Sequence, residues 1–411
     1  MLKNFPISPK SYIFSKTSMK FFYKINIDKF QLESKGFERM KEITRMKGIK
    51  GIKGLLKLSK LKFSLKSNSN LSHTKGDTSI KLREVSIGEQ LNITSKKFPN
   101  NDAIYVNHQN LKLTYEEFNL KVSQTAKAFI SLGLTRDSKV AIYSSNCVEW
   151  ALTQFACARI GIPFANINPA YQINDLKYSL NVLGINTLIM SRKIRSTDYI
   201  DIINKINLDL KDSNQNPIDL NLKELPNLKQ IILLDDLASG EIIQNNKQEM
   251  KKISKENNMI LWDELMDLIP LSGFNNDNKL NSIEKKYQDM KNYVKIHDAI
   301  NIQFTSGTTG LPKGAVLSHY NILNNAYLIG NNLKYTENDK VLITVPLYHC
   351  FGSVMGNLAC INFGSTIVYS NSVFDSIKSL EVIENYKCTS LYGVPTMFLD
   401  ILEKQKTAKK I

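Results

Sequence analysis

Nowhere in these 411 residues do 18 apolar side chains follow one another, so no transmembrane helix is expected. Cysteine is scarce. Cys147, Cys157, Cys350, Cys360 and Cys388 stand singly, without Cys-x-x-Cys spacing, which excludes a disulfide scaffold and fits a reduced interior. Five histidines (His73, His108, His297, His319, His349) form no paired-ligand pattern, so a transition-metal site is not indicated. A Walker A loop is also missing: counted from Gly307, the positions that pattern gives to glycine and lysine hold Pro312 and Lys313.

Charge of one sign is in excess, but only locally. The formal net charge is +16; residues 1–66 hold 17 Lys and Arg against four acids, and the remainder holds 37 against 34. The part expected to fold is therefore nearly neutral, and it shows no finger, ribbon or aromatic-basic module, so no nucleic-acid partner is expected. From Met1 to Ile27 there are five lysines, four serines, six aromatics and neither acid nor arginine. Poverty in acids is the character of an organellar transit peptide, while the lack of a continuous apolar core argues against a secretory signal. The stretch Lys47 to Lys66 spaces Lys50, Lys53, Lys57 and Lys60 by three or four around Ile49, Ile52, Leu55, Leu56 and Leu58. As a basic amphipathic helix it suits peripheral contact with an anionic membrane; a solvated spacer is the alternative.

What is present is concentrated in ten residues. After the apolar run Ile300-Asn301-Ile302-Gln303-Phe304 comes TSGTTGLPKG, Thr305 to Gly314. Gly307, Gly310 and Gly314 permit turns closed to other residues and bring backbone N–H groups near an anion. Thr305, Ser306, Thr308 and Thr309 add hydroxyls, and Lys313 adds a point charge on a flexible stem. Such a loop suits a polyphosphate. An ordinary strand-to-helix turn would use the same residue types.

Along the chain, short apolar runs alternate with helical periodicity. Helices are expected at Ser86–Phe98, Thr114–Leu132, Glu149–Ile160 and Ile173–Leu183, with strands at Ala103–Val106, Lys139–Tyr143, Pro163–Ile167 and Thr187–Met190. An Asn-rich stretch, about 205–297, reads as loops around a few strands such as Gln230–Leu234. Beyond it, strands Ala299–Phe304, Lys340–Val345, Ser365–Tyr369 and Ser390–Tyr392 alternate with helices Asn321–Gly330, Ser353–Asn362, Ile377–Tyr386 and Thr396–Lys404. The fold class is α/β, with two doubly wound parallel-sheet subdomains, helices on their faces and the second sheet incomplete. The expected division is a basic leader over 1–70, a first subdomain over 71–204, a variable connection over 205–298, and the loop with the start of a second subdomain over 299–411.

The decapeptide, with LTYEEFN (Leu113 to Asn119), GLTRDSKVAIYSSNCVEW (Gly133 to Trp150), INPAYQINDLKYSL (Ile167 to Leu180), PLYHCFGSV (Pro346 to Val354) and LYGVPTMFLDIL (Leu391 to Leu402), resembles the AMP-forming acyl-CoA synthetases of the adenylating superfamily. The wording is most similar to that of the mitochondrial medium-chain synthetases. The resemblance implies a ligase that joins a fatty acid to CoA with ATP through an acyl-adenylate, releasing AMP and pyrophosphate. It implies β/γ-phosphate contacts from Thr305, Ser306, Thr308 and Thr309 with Gly307 and Gly310, a charge partner in Lys313, and an acyl site around His349 with Tyr348, Phe351 and Val354. Gly393, Pro395 and Thr396 are read as architectural.

The family's YGxTE glutamate for Mg²⁺, its ribose-binding aspartate and its C-terminal lysine have no counterpart before Ile411. The expectation is therefore an incomplete N-terminal portion of a ligase whose Mg²⁺ ligand is not in this chain, residing in the mitochondrion. Peroxisomal or cytoplasmic residence, and a non-catalytic nucleotide-binding or interaction protein of the same fold, stay open.

Overall fold

The computed structural model describes residues 78–211, 216–234, 247–269, 277–305 and 311–408. The leader expected over 1–70 and loop residues 306–310 lie outside them. From Arg83 onward the described residues belong to one compact unit.

Local chemistry starts and stops the first elements where periodicity places them. Helix α1 (Ile87–Lys97) begins at Ser86, whose hydroxyl accepts the Glu89 N–H. The antiparallel pair β1 (Asp102–Val106) and β2 (Leu111–Thr114) follows. Helix α2 (Tyr115–Ser131) opens on a capping box, in which Thr114 Oγ1 accepts from Glu117 N and Glu117 accepts from Thr114 N. Then come β3 (Val140–Tyr143), α3 (Val148–Ile160), β4 (Phe164–Asn166), α4 (Ile173–Leu183) and β5 (Thr187–Met190). Helix α3 ends at Gly161 (φ 72°) and α4 at Gly184 (φ 61°), the left-handed conformation that glycine adopts without strain.

The remaining strands are the small hairpin β6 (Lys193–Ile194) and β7 (Thr197–Asp198), then β8 (Gln230–Leu233), β9 (Ile260–Leu261), β10 (Ala299–Thr305), β11 (Lys313–Ser318), β12 (Lys340–Ile343), β13 (Thr366–Tyr369) and β14 (Ser390–Tyr392). They form a seven-stranded sheet ordered β11-β10-β4-β3-β5-β8-β9 and a five-stranded sheet ordered β14-β12-β13-β1-β2. All pairings within both sheets are parallel except β10 with β11 and β1 with β2. The stretches 71–204 and 299–411 do not each build a sheet. β10 and β11 extend the sheet that β3, β4 and β5 begin, and β1 and β2 border the sheet that β12, β13 and β14 build.

Period-2 alternation explains why the larger sheet is covered on both faces. Val140 and Ile142 of β3 join one apolar cluster, Ala141 and Tyr143 the other; Ile189 and Ile232 divide from Leu188, Met190, Ile231 and Leu233 in the same way. The first cluster also holds Ile104, Val341, Ile343 and Ile367 of the five-stranded sheet, so the layer containing α3 serves both sheets. All 13 residues of α3 are buried, as a helix apolar around most of its circumference requires. Trp150 and Phe164 meet edge to face with centroids 5.1 Å apart, and burying such side chains contributes about 1.5–3 kcal/mol each.

Two expectations are corrected. The chain does not pass from the glycine-rich loop straight to a helix: β11 intervenes as an antiparallel edge strand, and the helix His319–Leu333 follows. The Asn-rich stretch contains helices Lys247–Glu256, Trp262–Asp267 and Asp277–Tyr293 rather than mainly loops. In the last of these, Ile283 and Tyr287, four residues apart, face the core despite a mostly polar sequence.

Candidate active site

The carboxyl ends of the parallel strands are where a fold of this kind presents ligand-binding loops. β10 runs parallel to β4, so its carboxyl end at Thr305 stands beside the turn Ile167 to Tyr171 that follows β4. Thr305 and Lys313 are opposite each other in the β10–β11 register, and Thr305 Oγ1 donates to the Lys313 carbonyl at 3.4 Å. Both residues are exposed. Thr305 at the end of β10 and Lys313 at the start of β11 thus flank the candidate phosphate-binding segment, whose Ser306, Gly307, Thr308, Thr309 and Gly310 lie outside the described residues. Gly314 has a packing role. A Cβ there would stand 3.2 Å from both Ile302 Cγ2 and Leu183 Cδ2, so glycine brings β11 close against its neighbours.

The second sheet delivers the other loop. After Ile343 the chain leaves β12 and runs through Thr344, Val345, Pro346, Leu347 and Tyr348 to His349. His349 is exposed, Tyr348 half-buried and Phe351 buried. His349 Nδ1 accepts the Phe351 N–H at 3.1 Å, which caps the short helix Cys350–Gly352 and fixes the imidazole plane. A π-type turn, Ser353–Leu358, continues it, a local widening often found at functional sites. Phe351 packs on Tyr392 with centroids 5.2 Å apart, and Val354 is buried. Gly352 lies so close to Pro346 that a Cβ would stand 2.5 Å from the Pro346 carbonyl oxygen.

Tyr171 packs beside the strand that enters the glycine-rich segment. Its ring stands edge-on to Phe304, the residue before Thr305, with centroids 6.3 Å apart. Its phenol is held above the usual tyrosine range by burial first, then by the nearby Asp175 and by Tyr348, the residue before His349. Burial pushes the Tyr348 phenol up as well. The backbone of Tyr171 is fixed from behind, where its carbonyl accepts the Tyr143 hydroxyl.

Beneath these loops lies a buried amide network. Gln303 donates to Asn301 Oδ1 at 2.8 Å, Asn301 to Asn166 Oδ1 at 3.0 Å and Asn166 to Ser353 Oγ at 3.5 Å. Ser353 Oγ in turn donates to the His349 carbonyl at 3.2 Å. Gln154 of α3 donates to the Ser353 carbonyl, and its own carbonyl accepts from Asn357, whose Oδ1 accepts from Tyr369. Sequence reasoning missed Asn166, Asn301, Ser353 and Asn146. Their signal was weak: each is a polar residue at or just beyond an apolar run, and the partners that give it meaning are far away in sequence.

Among the described residues no three His, Cys, Asp or Glu side chains come together as metal ligands, and no Mg²⁺ ligand is assigned. None of the described helices is long and apolar enough to cross a membrane.

Residues 91–411 match the family model described as AMP-binding enzyme. The chain is 32% identical over 338 residues to the human medium-chain acyl-CoA ligase ACSF2, mitochondrial, covering 81% of this chain and 50% of that protein. The Danio rerio protein of the same name is 32% identical over 340 residues, covering 82% and 51%. The chain thus spans about half the length of the curated relatives it matches. In fold it is similar to a long-chain-fatty-acid-CoA ligase (FadD1) from Archaeoglobus fulgidus, with a TM-score of 0.59, 19% identity and coverage of 82% of this chain and 57% of that one. It is also similar in fold to the luciferase-like enzyme of the Zophobas morio mealworm, with a TM-score of 0.56, 18% identity and coverage of 80% and 64%.

Proposed function

Because this chain belongs to the AMP-binding enzyme family, we propose that it carries the nucleotide and acyl half-sites of an AMP-forming acyl-CoA ligase. The observation that supports this reading most is the chain of hydrogen bonds Gln303–Asn301–Asn166–Ser353, which runs from β10, the strand that enters the glycine-rich segment, to the His349 carbonyl. A polyphosphate gripped at one loop would have its α-phosphorus near a carboxylate presented at the other.

In the proposed reaction a carboxylate oxygen attacks the α-phosphorus of MgATP, the bond to the β-phosphate breaks, and pyrophosphate leaves from an acyl-adenylate. The sulfur of CoA then attacks the acyl carbonyl carbon and AMP departs. Neither step needs a protein nucleophile. The chain's task is to hold reactants in line and to meet charge where it develops. Lys313 is the charge partner of the β/γ-phosphates, and Thr305, Ser306, Thr308 and Thr309 donate hydroxyl hydrogens to phosphate oxygens while Gly307 and Gly310 let the backbone approach. His349 and Tyr348 border the acyl group, and Phe351 supports the wall behind them against Tyr392.

Medium-chain fatty acids are the proposed substrates and the mitochondrion the proposed compartment, in keeping with the names of the similar ligases and with the acid-poor leader. Peripheral membrane contact through that leader belongs to the same proposal. The test is thermal unfolding with and without MgATP. A ligand that binds only the folded state raises its stability by mass action, about 2.7 kcal/mol at a hundredfold excess over Kd. The reading expects a rise for the wild type and none for Lys313→Ala; a wild type indifferent to MgATP contradicts it.

A further inference from the structure

After Ile343 the β12 chain leaves its sheet and must find other partners for its peptide groups, because Val345 and Leu347 are each only 1% exposed. Asn146, at the carboxyl end of β3 in the other sheet, supplies them. Its Nδ2 donates to the Val345 carbonyl at 3.0 Å, and its Oδ1 accepts the Leu347 N–H at 2.9 Å. A residue in a parallel strand makes this same pair of bonds, to the carbonyl before and the N–H after the residue opposite it. The residue opposite is Pro346, which has no N–H to satisfy. The side-chain amide thus acts as one residue of an added strand.

Asn146 is itself held firmly. It is 4% exposed, and its own N–H donates to the Ser372 carbonyl at 2.9 Å. Two residues on, the Val148 N–H at the start of α3 donates to Gln109 Oε1 at 2.8 Å. We propose that Asn146 is a positioning residue for acyl-adenylate recognition, fixing the Pro346–His349 loop where it leaves β12. The inference rests on the reading of His349 given above.

Asn324 provides a matched control whose bonds reach neither loop. It is 5% exposed and clamps one backbone segment in the same way, accepting from Arg83 N at 2.6 Å and donating to Arg83 O at 3.0 Å. The experiment compares the wild type, Asn146→Ala, Asn146→Asp, Asn146→Ser and Asn324→Ala. Calorimetric titration uses MgATP alone and octanoyl-sulfamoyladenosine, a stable mimic of an acyl-adenylate, and hydrogen exchange is read at the Leu347 amide. Asn146→Ala is expected to bind MgATP as the wild type does and to lose about tenfold or more for the mimic, with faster exchange at Leu347. Asn146→Asp keeps the acceptor but sets a second oxygen against the Val345 carbonyl, so it should lose at least as much for the mimic as the alanine variant, and Asn146→Ser, which buries no charge, carries the test if the alanine variant does not fold. Asn324→Ala should melt earlier without separating the two affinities. Equal losses for both probes at Asn146, no loss at all, or the same separation in Asn324→Ala overturns the positioning role. A wild type that binds neither probe overturns the active-site reading and this inference with it, whereas normal wild-type binding with an indifferent Asn146→Ala overturns this inference alone.

Discussion

Tyr171 stands edge-on to Phe304, their ring centroids 6.3 Å and their planes 68° apart, and the pKa of its phenol is raised by burial first, then by Asp175 and Tyr348. The ring pair sets Tyr171, in the turn after β4, against the strand that enters the glycine-rich segment. An edge-to-face pair contributes about 0.5–1.5 kcal/mol, which Tyr171→Phe keeps and Tyr171→Ala removes. Octanoyl-AMP formation should stay near wild type in Tyr171→Phe and fall about tenfold in Tyr171→Ala. Equal rates in the two variants would remove Tyr171 from the account.

His349 caps the short helix through the Phe351 N–H, and the proposed function gives it a second, separable task, a face toward the acyl group. Asparagine at the cap position can still accept the Phe351 N–H, whereas alanine cannot, at a cost of about 1 kcal/mol. Both His349→Asn and His349→Ala should raise the carboxylate concentration needed for half-maximal adenylation, and only His349→Ala should lower the urea midpoint. Unchanged carboxylate dependence in both would make His349 a cap and nothing more.

At Gly352 the constraint is space. A Cβ would stand 2.5 Å from Pro346 O and 2.8 Å from its carbonyl carbon, both backbone atoms that cannot swing away. Gly352→Ala is expected to cost about 1–3 kcal/mol in chemical unfolding, the ordinary range for overpacking, and to shift the Pro346–His349 loop. Wild-type stability together with wild-type adenylation would mean that the loop yields freely.

Acid should unfold the protein partly through His319. Burial lowers its pKa to about 4, against a smaller opposing effect of Asp298. Its Nδ1 accepts the Ile87 N–H at 3.3 Å. Between pH 6.5 and about 4 the unfolded chain takes up a proton that the folded chain refuses, so stability is full above pH 6.5 and falls as pH drops through that window. The loss for a shift of this size is on the order of 3 kcal/mol. His319→Gln, which does not titrate, should flatten the dependence of the urea midpoint on pH between 6.5 and 4; an unaltered slope would assign the acid sensitivity elsewhere.

Much of the fold was legible because it rests on local signals. The Thr114–Glu117 capping box, Gly184 after Leu183 and the three apolar residues Leu188–Met190 mark their elements within a few positions of sequence. The β11 edge strand was not legible: Lys313–Ser318 contains a glycine, has an exposed face, and gains its identity only by pairing with β10. The helix Asp277–Tyr293 was hidden by its polar composition. For the candidate site, Thr305, Lys313 and His349 were singled out from short motifs. Asn146 was not, because its bonds reach 199 and 201 residues along the chain and a side-chain amide gives no sign of which backbone it will clamp.

The most direct test of the central claim is octanoate-dependent exchange of labelled pyrophosphate into ATP, measured on the wild type and on Lys313→Ala. The exposed Lys313 makes little of the fold, so its loss should leave the melting temperature unchanged in the absence of nucleotide. The account predicts exchange that requires the carboxylate and drops at least a hundredfold in Lys313→Ala, roughly the effect of removing one transition-state charge contact. A folded wild type that binds MgATP but shows no carboxylate-dependent exchange would contradict it and leave a nucleotide-binding protein in place of a ligase.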